Sequence, residues 1–234
     1  MPATLKRPPS PAVRPLADGE AVSRGEYLRR AAATPGVRME RINGTVRMAA
    51  AIRRDVHGRP ELMISHLLAA YELETPGVEA SSPATAMIGE DDDPEADCHL
   101  LVLPEYGGQT RFTEDGYVDG CPELMVEVAA SSLRTDLVEK RAVYERGGAK
   151  EYVVWATERR AFHFFVRDGD RLLDARPDNG GVFRSRAFPG LWIDCDALLD
   201  RDLRRAAATL NEGVRAPEHA DFVSELRGRG PAGD

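Results

Sequence analysis

Three short apolar segments constrain the fold of this chain more than any other feature. They are Cys98–Leu103 (CHLLVL), Leu124–Val128 (LMVEV) and Glu151–Ala156 (EYVVWA). Each has the length of a strand, and near-continuous apolar sequence is typical of strands covered on both faces. Helices are predicted before the first segment, at Pro60–Glu74, and between the last two, at Asp136–Arg146. The pattern predicts a mixed α/β domain with one central sheet.

Several further elements are expected around this core. Asn43-Gly44 lies between two extended runs and predicts a β-hairpin, because both turn positions of such a hairpin favour positive φ. Helices are expected at Glu20–Ala33 and Leu198–Leu210, and strands at Ala161–Arg167 and near Leu172 and Val182.

The two ends differ in composition from the middle of the chain. Residues 1–17 contain five prolines and three basic side chains but no acidic ones, so a disordered tail is expected there. Residues 206–234 are expected to form a polar C-terminal extension that is loose over its last twenty residues. The folded domain is therefore predicted to span residues 18–205.

Apolar content and cysteine usage exclude several classes of protein. No apolar run approaches the roughly 18 residues of a transmembrane helix, and the first residues lack the apolar stretch of a secretion signal. Cys98, Cys121 and Cys195 are far apart and odd in number, which excludes a disulfide scaffold and a CxxC zinc site. A cytoplasmic location without membrane contact is expected.

Charge is unevenly distributed along the chain, whose net charge is −8. Residues 72–97 carry nine acidic side chains and no Lys or Arg, whereas residues 36–54 carry five arginines and one glutamate. This contrast is compatible with a metal site flanked by a phosphate-binding surface, but charge alone favours the simpler interpretation, an acidic surface loop on an ordinary soluble protein. The run Glu90–Asp93 is expected to be a solvated loop.

Two carboxylates lie where apolar side chains are expected. Asp97 directly precedes CHLLVL, and Glu127 lies inside LMVEV on the same face as Glu123. Glu123 and Glu127 are about 13 Å apart along a strand, so Glu127 needs a partner from a neighbouring strand, about 4.8 Å away. Asp97 is the candidate, and together the two carboxylates would form an oxygen site suited to Mg²⁺, with Mn²⁺ as an alternative.

Simpler explanations exist for the same residues. Asp97 is also a plausible strand-start residue, and Glu127 could pair with a nearby arginine. The five histidines show no HxxxH or HExxH spacing, so zinc is not expected.

The run from Pro122 to Ala156, PELMVEVAASSLRTDLVEKRAVYERGGAKEYVVWA, resembles the core of the bacterial Uma-type restriction endonuclease family. That family belongs to the PD-(D/E)XK nuclease superfamily, and its members typically read PDLVVEVLSPS, then D…K…Y, then G-x-x-EYW-V. The matching positions are Pro122-Glu123-Leu124, Glu127-Val128, Ser131-Ser132, Asp136, Lys140, Tyr144, Gly148 and Glu151-Tyr152. The flanking pieces ERINGTV (40–46) and FPGLWIDCDALL (188–199) also agree with the family pattern, so the resemblance spans roughly residues 25–202.

The resemblance implies a restriction-endonuclease-like fold, which is a mixed central sheet flanked by helices, and a site for Mg²⁺. Asp97 takes the place of the first metal-binding acid and Glu127 the second, although Ala96 stands where the family usually has proline. Ala129 occupies the position of the superfamily's lysine, so the catalytic lysine is carried to Lys140 on the following helix. Glu40 matches an early family glutamate and is expected to support the site.

Each of these carried-over roles has an alternative. Lys140 lies four residues after Asp136 and could be a surface lysine paired with it. Glu40 could form a salt bridge to a neighbouring arginine instead of serving the site.

The resemblance implies Mg²⁺-dependent hydrolysis of DNA phosphodiester bonds by an endonuclease. Local positive charge makes Arg41, Arg47, Arg53 and Arg54 candidate contacts to the DNA backbone. A homodimer is expected, because nucleases of this superfamily often pair so that two sites cut two strands. One rival is a non-catalytic nucleic-acid-binding or assembly module on the same fold. Another is a hydrolase of RNA or small phosphoesters.

Overall fold

The computed structural model describes residues 13–231. In chain order its helices are α1 (Arg24–Ala32), α2 (Arg59–Glu74), α3 (Leu133–Thr135), α4 (Arg141–Gly147), α5 (Cys195–Leu199), α6 (Leu203–Gly213) and α7 (Pro217–Arg229). Short π-helical stretches precede α2 and α4, at Arg54–Gly58 and Asp136–Lys140.

The strands include many short ones outside the main sheet. They are β1 (Met39–Ile42), β2 (Thr45–Met48), β3 (Val78–Ser81), β4 (Ala84–Met87), β5 (Glu95–Ala96), β6 (Cys98–Val102), β7 (Arg111–Phe112), β8 (Val118–Asp119), β9 (Leu124–Ala129), β10 (Glu151–Ala156), β11 (Ala161–Asp168), β12 (Arg171–Ala175), β13 (Val182–Arg184) and β14 (Trp192–Asp194).

The central sheet has six strands in the order β12-β11-β10-β9-β6-β3. Strands β9 and β10 are parallel, and the other neighbouring pairs are antiparallel. The three apolar segments of the sequence form β6, β9 and β10 at the middle of this sheet, and every residue of the three strands is buried. The prediction of a mixed central sheet flanked by helices is confirmed.

The sheet separates two hydrophobic cores, as the alternation of side chains along β9 requires. Leu124, Val126 and Val128 belong to the core beneath α2, α6 and α7. Met125 and Ala129 belong to the opposite core, which includes Val143 and Tyr144 of α4. Glu127 therefore lies on the α4 side of the sheet, surrounded by apolar neighbours.

The connection between β9 and β10 brings a helix over Glu127. This segment is helical from α3 through the π-helical stretch to α4, and it ends where Gly148 adopts a left-handed conformation with φ of 91°. Gly148 suits this position because a residue without a Cβ adopts positive φ readily. The predicted helix at Asp136–Arg146 is confirmed.

A hairpin formed by β1 and β2 packs beside the sheet. Asn43 and Gly44 have φ values of 49° and 71°, as predicted for an Asn-Gly turn. Glu40 lies on β1 and thus reaches the site from a third part of the chain.

The acidic run Glu90–Asp93 is not the fully solvated loop that the sequence predicts, because its last two residues are buried. Asp93 is fully buried, and its carboxylate accepts hydrogen bonds from Arg24 Nε at 2.5 Å and Arg41 Nε at 2.6 Å. Asp92 is also buried and accepts from the backbone N–H of Asn43 at 2.7 Å. These carboxylates fasten the hairpin to the loop, because the turn and β1 supply their donors.

The C-terminal segment also differs from expectation. The helix predicted at Leu198–Leu210 is interrupted at Arg201, where φ is 62°, so it forms α5 and α6. The last part of the described chain forms α7 instead of a loose tail. Leu226 of α7 is fully buried in the core, and His219 Nε2 lies 3.0 Å from the Thr75 hydroxyl. The buried positions of α7 are Leu226 and His219, and most of its other side chains are exposed or half-buried.

The N-terminal tail prediction falls largely outside the described residues, because residues 1–12 are not among them. Of residues 13–17, Leu16 is buried against Tyr27, Met39 and Val46. In residues 13–231, no helix is both long and apolar enough to cross a bilayer.

Replacing Leu226 by alanine tests whether α7 belongs to the folded unit. The substitution removes a fully buried side chain, so the free energy of unfolding should fall by about 2–5 kcal/mol. Leu73→Ala is the control, because that side chain is 86% exposed and its loss should change stability by less than about 0.5 kcal/mol. Urea denaturation followed by circular dichroism measures both; equal, small effects would show that α7 is not part of the cooperative fold.

Candidate active site

Glu127 is the only charged residue within β9, and two side chains from the following helix bind it. Lys140 Nζ lies 2.9 Å from Glu127 Oε1, and the Tyr144 hydroxyl donates to the same oxygen at 2.7 Å. Lys140 and Tyr144 are four residues apart, so they lie on one face of the helix. Both contacts use Oε1 and neither uses Oε2.

Lys140 is held between two carboxylates. Its Nζ lies 2.8 Å from Glu40 Oε2 on β1 and 2.9 Å from Glu127 Oε1 on β9. Burial lowers the pKa of Lys140, but Glu127, Glu40 and Asp136 outweigh it and raise that pKa well above its usual value. The Lys140 side chain is therefore a buried ammonium at neutral pH.

Burial has the opposite consequence for Glu127. Loss of solvent raises the pKa of Glu127 well above its usual value, and the negative charges of Asp97, Asp136 and Glu40 act in the same direction. Lys140 opposes this shift. Additional positive charge beside Glu127 would thus be favourable, since several carboxylates here share one ammonium.

Asp97 lies next to Glu127 because β6 runs antiparallel to β9. Cys98 pairs with Val126 in the register, so the residue before β6 reaches the end of β9, and Asp97 Oδ2 accepts the Val128 N–H at 2.8 Å. Asp97 Oδ1 lies 3.1 Å from His57 Nε2 and 3.4 Å from Arg38 Nη2. Burial acts to raise the pKa of Asp97, but the hydrogen bonds from His57 and Val128 leave it below its usual value.

His57 joins Asp97 to a second carboxylate. It lies in the π-helical turn before α2, and its Nε2 is 3.4 Å from Glu61 Oε2 in the first turn of that helix. Ligand atoms of His57, Glu61 and Asp97 all lie within 4.8 Å of one another. Hydrogen bonds to Asp97 and Glu61 raise the pKa of His57 to about 10, against the effect of burial.

These side chains line one cleft of about 310 Å³. Its wall includes Glu40, Asp97, Glu127, Lys140 and His57, and its mouth includes the chain from Met48 to Arg53. Asp136 also lines the cleft. Burial raises the pKa of Asp136 to about 6, although Lys140 and the Ser132 hydroxyl, 2.6 Å from the carboxylate, oppose that shift.

A family model described as "Putative restriction endonuclease" and named Uma2 matches residues 24–198, three quarters of the chain. The chain belongs to the Uma2 family. A crystal structure described as a "putative nuclease belonging to DUF820" from Anabaena variabilis is similar to it, with a TM-score of 0.59 and 10% sequence identity. The match covers 76% of this chain and 98% of that one, and it shows a shared nuclease-like fold. No curated protein sequence matches the chain.

The sequence predicted four site residues, and the structure brings all four to the same cleft. Asp97, Glu127, Lys140 and Glu40 come from four separate elements of the Uma2 domain. Three alternatives from the sequence are not observed. Glu127 and Glu40 contact Lys140 instead of an arginine, and Lys140 is buried between them instead of forming a surface pair with Asp136.

The sequence analysis missed His57, Glu61 and Arg38. Arg38 Nε contacts Glu95 at 2.6 Å, and the same guanidinium reaches Asp97. The HxxxH and HExxH patterns describe pairs of histidines, so they do not detect a histidine that is followed by a glutamate. The available signal was His57 four residues before Glu61 at a predicted helix start, since that spacing places both on one side of the chain.

The predicted DNA-contacting arginines have different environments. Arg41 is 1% exposed and bound to Asp93, so its side chain cannot reach a DNA backbone and this prediction is wrong. Arg47 is half-buried and Arg53 is exposed; both line the cleft, and they pair with Glu139 and Glu158. Arg54 is exposed, is not among the residues that line the cleft, and pairs with Asp55.

The charged state of His57 gives a pH-dependent prediction for the metal-free protein. Its folded-state pKa of about 10 exceeds the ordinary value of 6.5, so the stabilisation from its ion pairs is complete below pH 6.5 and is lost as the pH rises through about 10. NMR titration of the imidazole nitrogens should find His57 still protonated at pH 8. In Asp97→Asn the midpoint should move back towards 6.5. A wild-type midpoint between 6 and 7 would contradict the ion-paired arrangement.

Proposed function

We propose that this chain is a metal-dependent endonuclease that hydrolyses phosphodiester bonds of DNA, with a site of the PD-(D/E)XK type. The observation that carries the proposal is the placement of the Lys140 ammonium from a helix beside Glu127 of the central sheet, in the cleft that Asp97 lines. Membership of a family described as restriction endonucleases supports the same conclusion.

The donor set fits a hard divalent cation. Asp97 and Glu127 offer carboxylate oxygens from neighbouring strands to one cleft, and Mg²⁺ prefers such oxygens while retaining several waters. Burial is the main cause of the raised pKa of Glu127, and the neighbouring carboxylates Asp97, Asp136 and Glu40 act in the same direction, so a cation beside Glu127 would be favourable. When bound, a Mg²⁺ or Mn²⁺ ion would polarise the phosphate and lower the pKa of a water molecule.

Lys140 would orient and stabilise charge instead of accepting a proton. Its raised pKa keeps it an ammonium at neutral pH, and an ammonium has donors but no acceptor. It can therefore position the attacking water and stabilise negative charge that develops on the phosphate. Glu40 would fix the Lys140 side chain through its contact at 2.8 Å.

The proposed substrate is duplex DNA held at the cleft mouth. Arg47 and Arg53 line the cleft, Arg54 is exposed next to Arg53 in the chain, and guanidinium groups of this kind bind phosphate without reading sequence. A homodimer that presents two clefts to the two strands is part of the proposal, and light scattering on the free protein tests it.

The test is cleavage of supercoiled plasmid DNA in the presence of Mg²⁺ or Mn²⁺. Lys140→Met should reduce the rate at least about 100-fold, because it removes a preorganised charge at the reacting phosphate. Lys150→Met is the matched control, since Lys150 is the other lysine among residues 13–231 and its side chain is 51% exposed. Circular dichroism and thermal melting establish that both variants are folded.

Different outcomes separate the proposal from its rivals. A cleavage rate for Lys140→Met within threefold of the wild-type rate would overturn the mechanism, as would cleavage that persists in EDTA. Turnover of RNA or of a small phosphodiester without turnover of DNA would favour the small-substrate hydrolase. Because Lys140, Glu40 and Glu127 already neutralise one another in part, a folded wild type that binds DNA without turnover would favour the non-catalytic module.

A further inference from the structure

We propose that His57, Glu61 and Asp97 bind a divalent transition-metal ion of the Mn²⁺ type, which replaces the proton that His57 carries in the metal-free protein and releases it to solvent, so that the cleft contains a neutral imidazole ligand in addition to its carboxylates. The inference deepens the proposed function and rests on it, because Asp97 would belong to both ligand sets. Nothing about Glu127 or Lys140 is required for these three side chains to converge.

Convergence of the three side chains is the first support. His57 Nε2 lies 3.1 Å from Asp97 Oδ1 and 3.4 Å from Glu61 Oε2, and all three ligand atoms lie within 4.8 Å of one another. Donor atoms that bind one ion at about 2.0–2.2 Å lie about as far from one another as His57 Nε2 lies from these two carboxylate oxygens. The three donors are therefore close to the spacing that one ion requires.

The second observation that supports this site is that hydrogen bonds hold the ligands in place. The Ser82 hydroxyl lies 2.7 Å from the Asp97 carbonyl oxygen and 3.3 Å from Glu61 Oε1, so it ties two of the ligands together and leaves Glu61 Oε2 facing His57. The Thr157 hydroxyl donates to the Val56 carbonyl at 2.6 Å and fixes the turn that carries His57. Outer hydrogen bonds of this kind orient metal ligands.

Access and charge are the third observation that supports this site. The His57 and Glu61 side chains are 19% and 18% exposed, so an ion can reach them from the cleft that His57 and Asp97 line. The contact between Arg38 and Asp97 is long, at 3.4 Å, and Arg38 has a closer partner in Glu95, at 2.6 Å. Its withdrawal from Asp97 would leave two carboxylates and one imidazole to the ion.

The donor chemistry indicates which ion. An imidazole nitrogen with carboxylate oxygens suits Mn²⁺, Co²⁺ or Zn²⁺, whereas Mg²⁺ prefers oxygen ligands alone. The full chain should accordingly bind Mn²⁺ at least about 10-fold more tightly than Mg²⁺.

The experiment is electron spin-echo envelope modulation spectroscopy of the full chain loaded with one equivalent of Mn²⁺. We expect modulation from a directly bound imidazole ¹⁴N in the wild type. The control is His66→Gln, at an exposed position of α2, which should keep the modulation. His57→Gln should lose the modulation and bind Mn²⁺ at least about 10-fold more weakly. Glu61→Gln should weaken binding while keeping the nitrogen signal.

Mn²⁺ binding without nitrogen modulation in the wild type would overturn the inference, as would modulation that persists in His57→Gln. The result is separable from the nuclease test. Plasmid cleavage with an oxygen-only Mn²⁺ site would leave the proposed function standing and remove the imidazole ligand. Nitrogen-bound Mn²⁺ without any cleavage would keep the imidazole site and remove the nuclease function.

Discussion

One buried ammonium organises the functional end of this molecule. Lys140 lies 2.8 Å from Glu40 of the hairpin and 2.9 Å from Glu127 of the central sheet, so it links three parts of the chain that are distant in sequence. A buried carboxylate without a partner is costly. The ion pair therefore both permits Glu127 inside an apolar strand and fixes the hairpin against the sheet. The remaining excess of negative charge is what makes the cleft suitable for a cation.

The acidic segment that precedes Asp97 presents less negative charge at the surface than its composition suggests. Asp93 is buried against Arg24 and Arg41, and Asp92 is held by Arg146 at 3.0 Å and by the backbone of the hairpin turn. Two of its most central charges are thus neutralised inside the protein. Because Arg41 is buried in its ion pair with Asp93, the basic surface at the cleft is smaller than the sequence indicates.

Much of this architecture could be predicted from the sequence because its signals are local. Apolar runs marked β6, β9 and β10, and Asn43-Gly44 marked the hairpin. Asp97 and Glu127 were recognisable because carboxylates interrupt apolar sequence there. What could not be predicted depends on contacts between distant segments. The burial of Arg41 and Asp93, the docking of α7 through Leu226 and the approach of His57 to Asp97 all arise from tertiary packing that one-dimensional patterns do not encode.

We conclude that Lys140 is a fixed, charged group within the carboxylate cluster. ¹⁵N NMR of the lysine side chains measures this directly, because the chain has only three lysines. The account predicts that Lys140 Nζ stays an ammonium through neutral pH, with hydrogens that exchange slowly with solvent, and that Glu40→Gln speeds this exchange. A neutral amine at pH 7, or an ammonium that exchanges as fast as that of exposed Lys150, would contradict it.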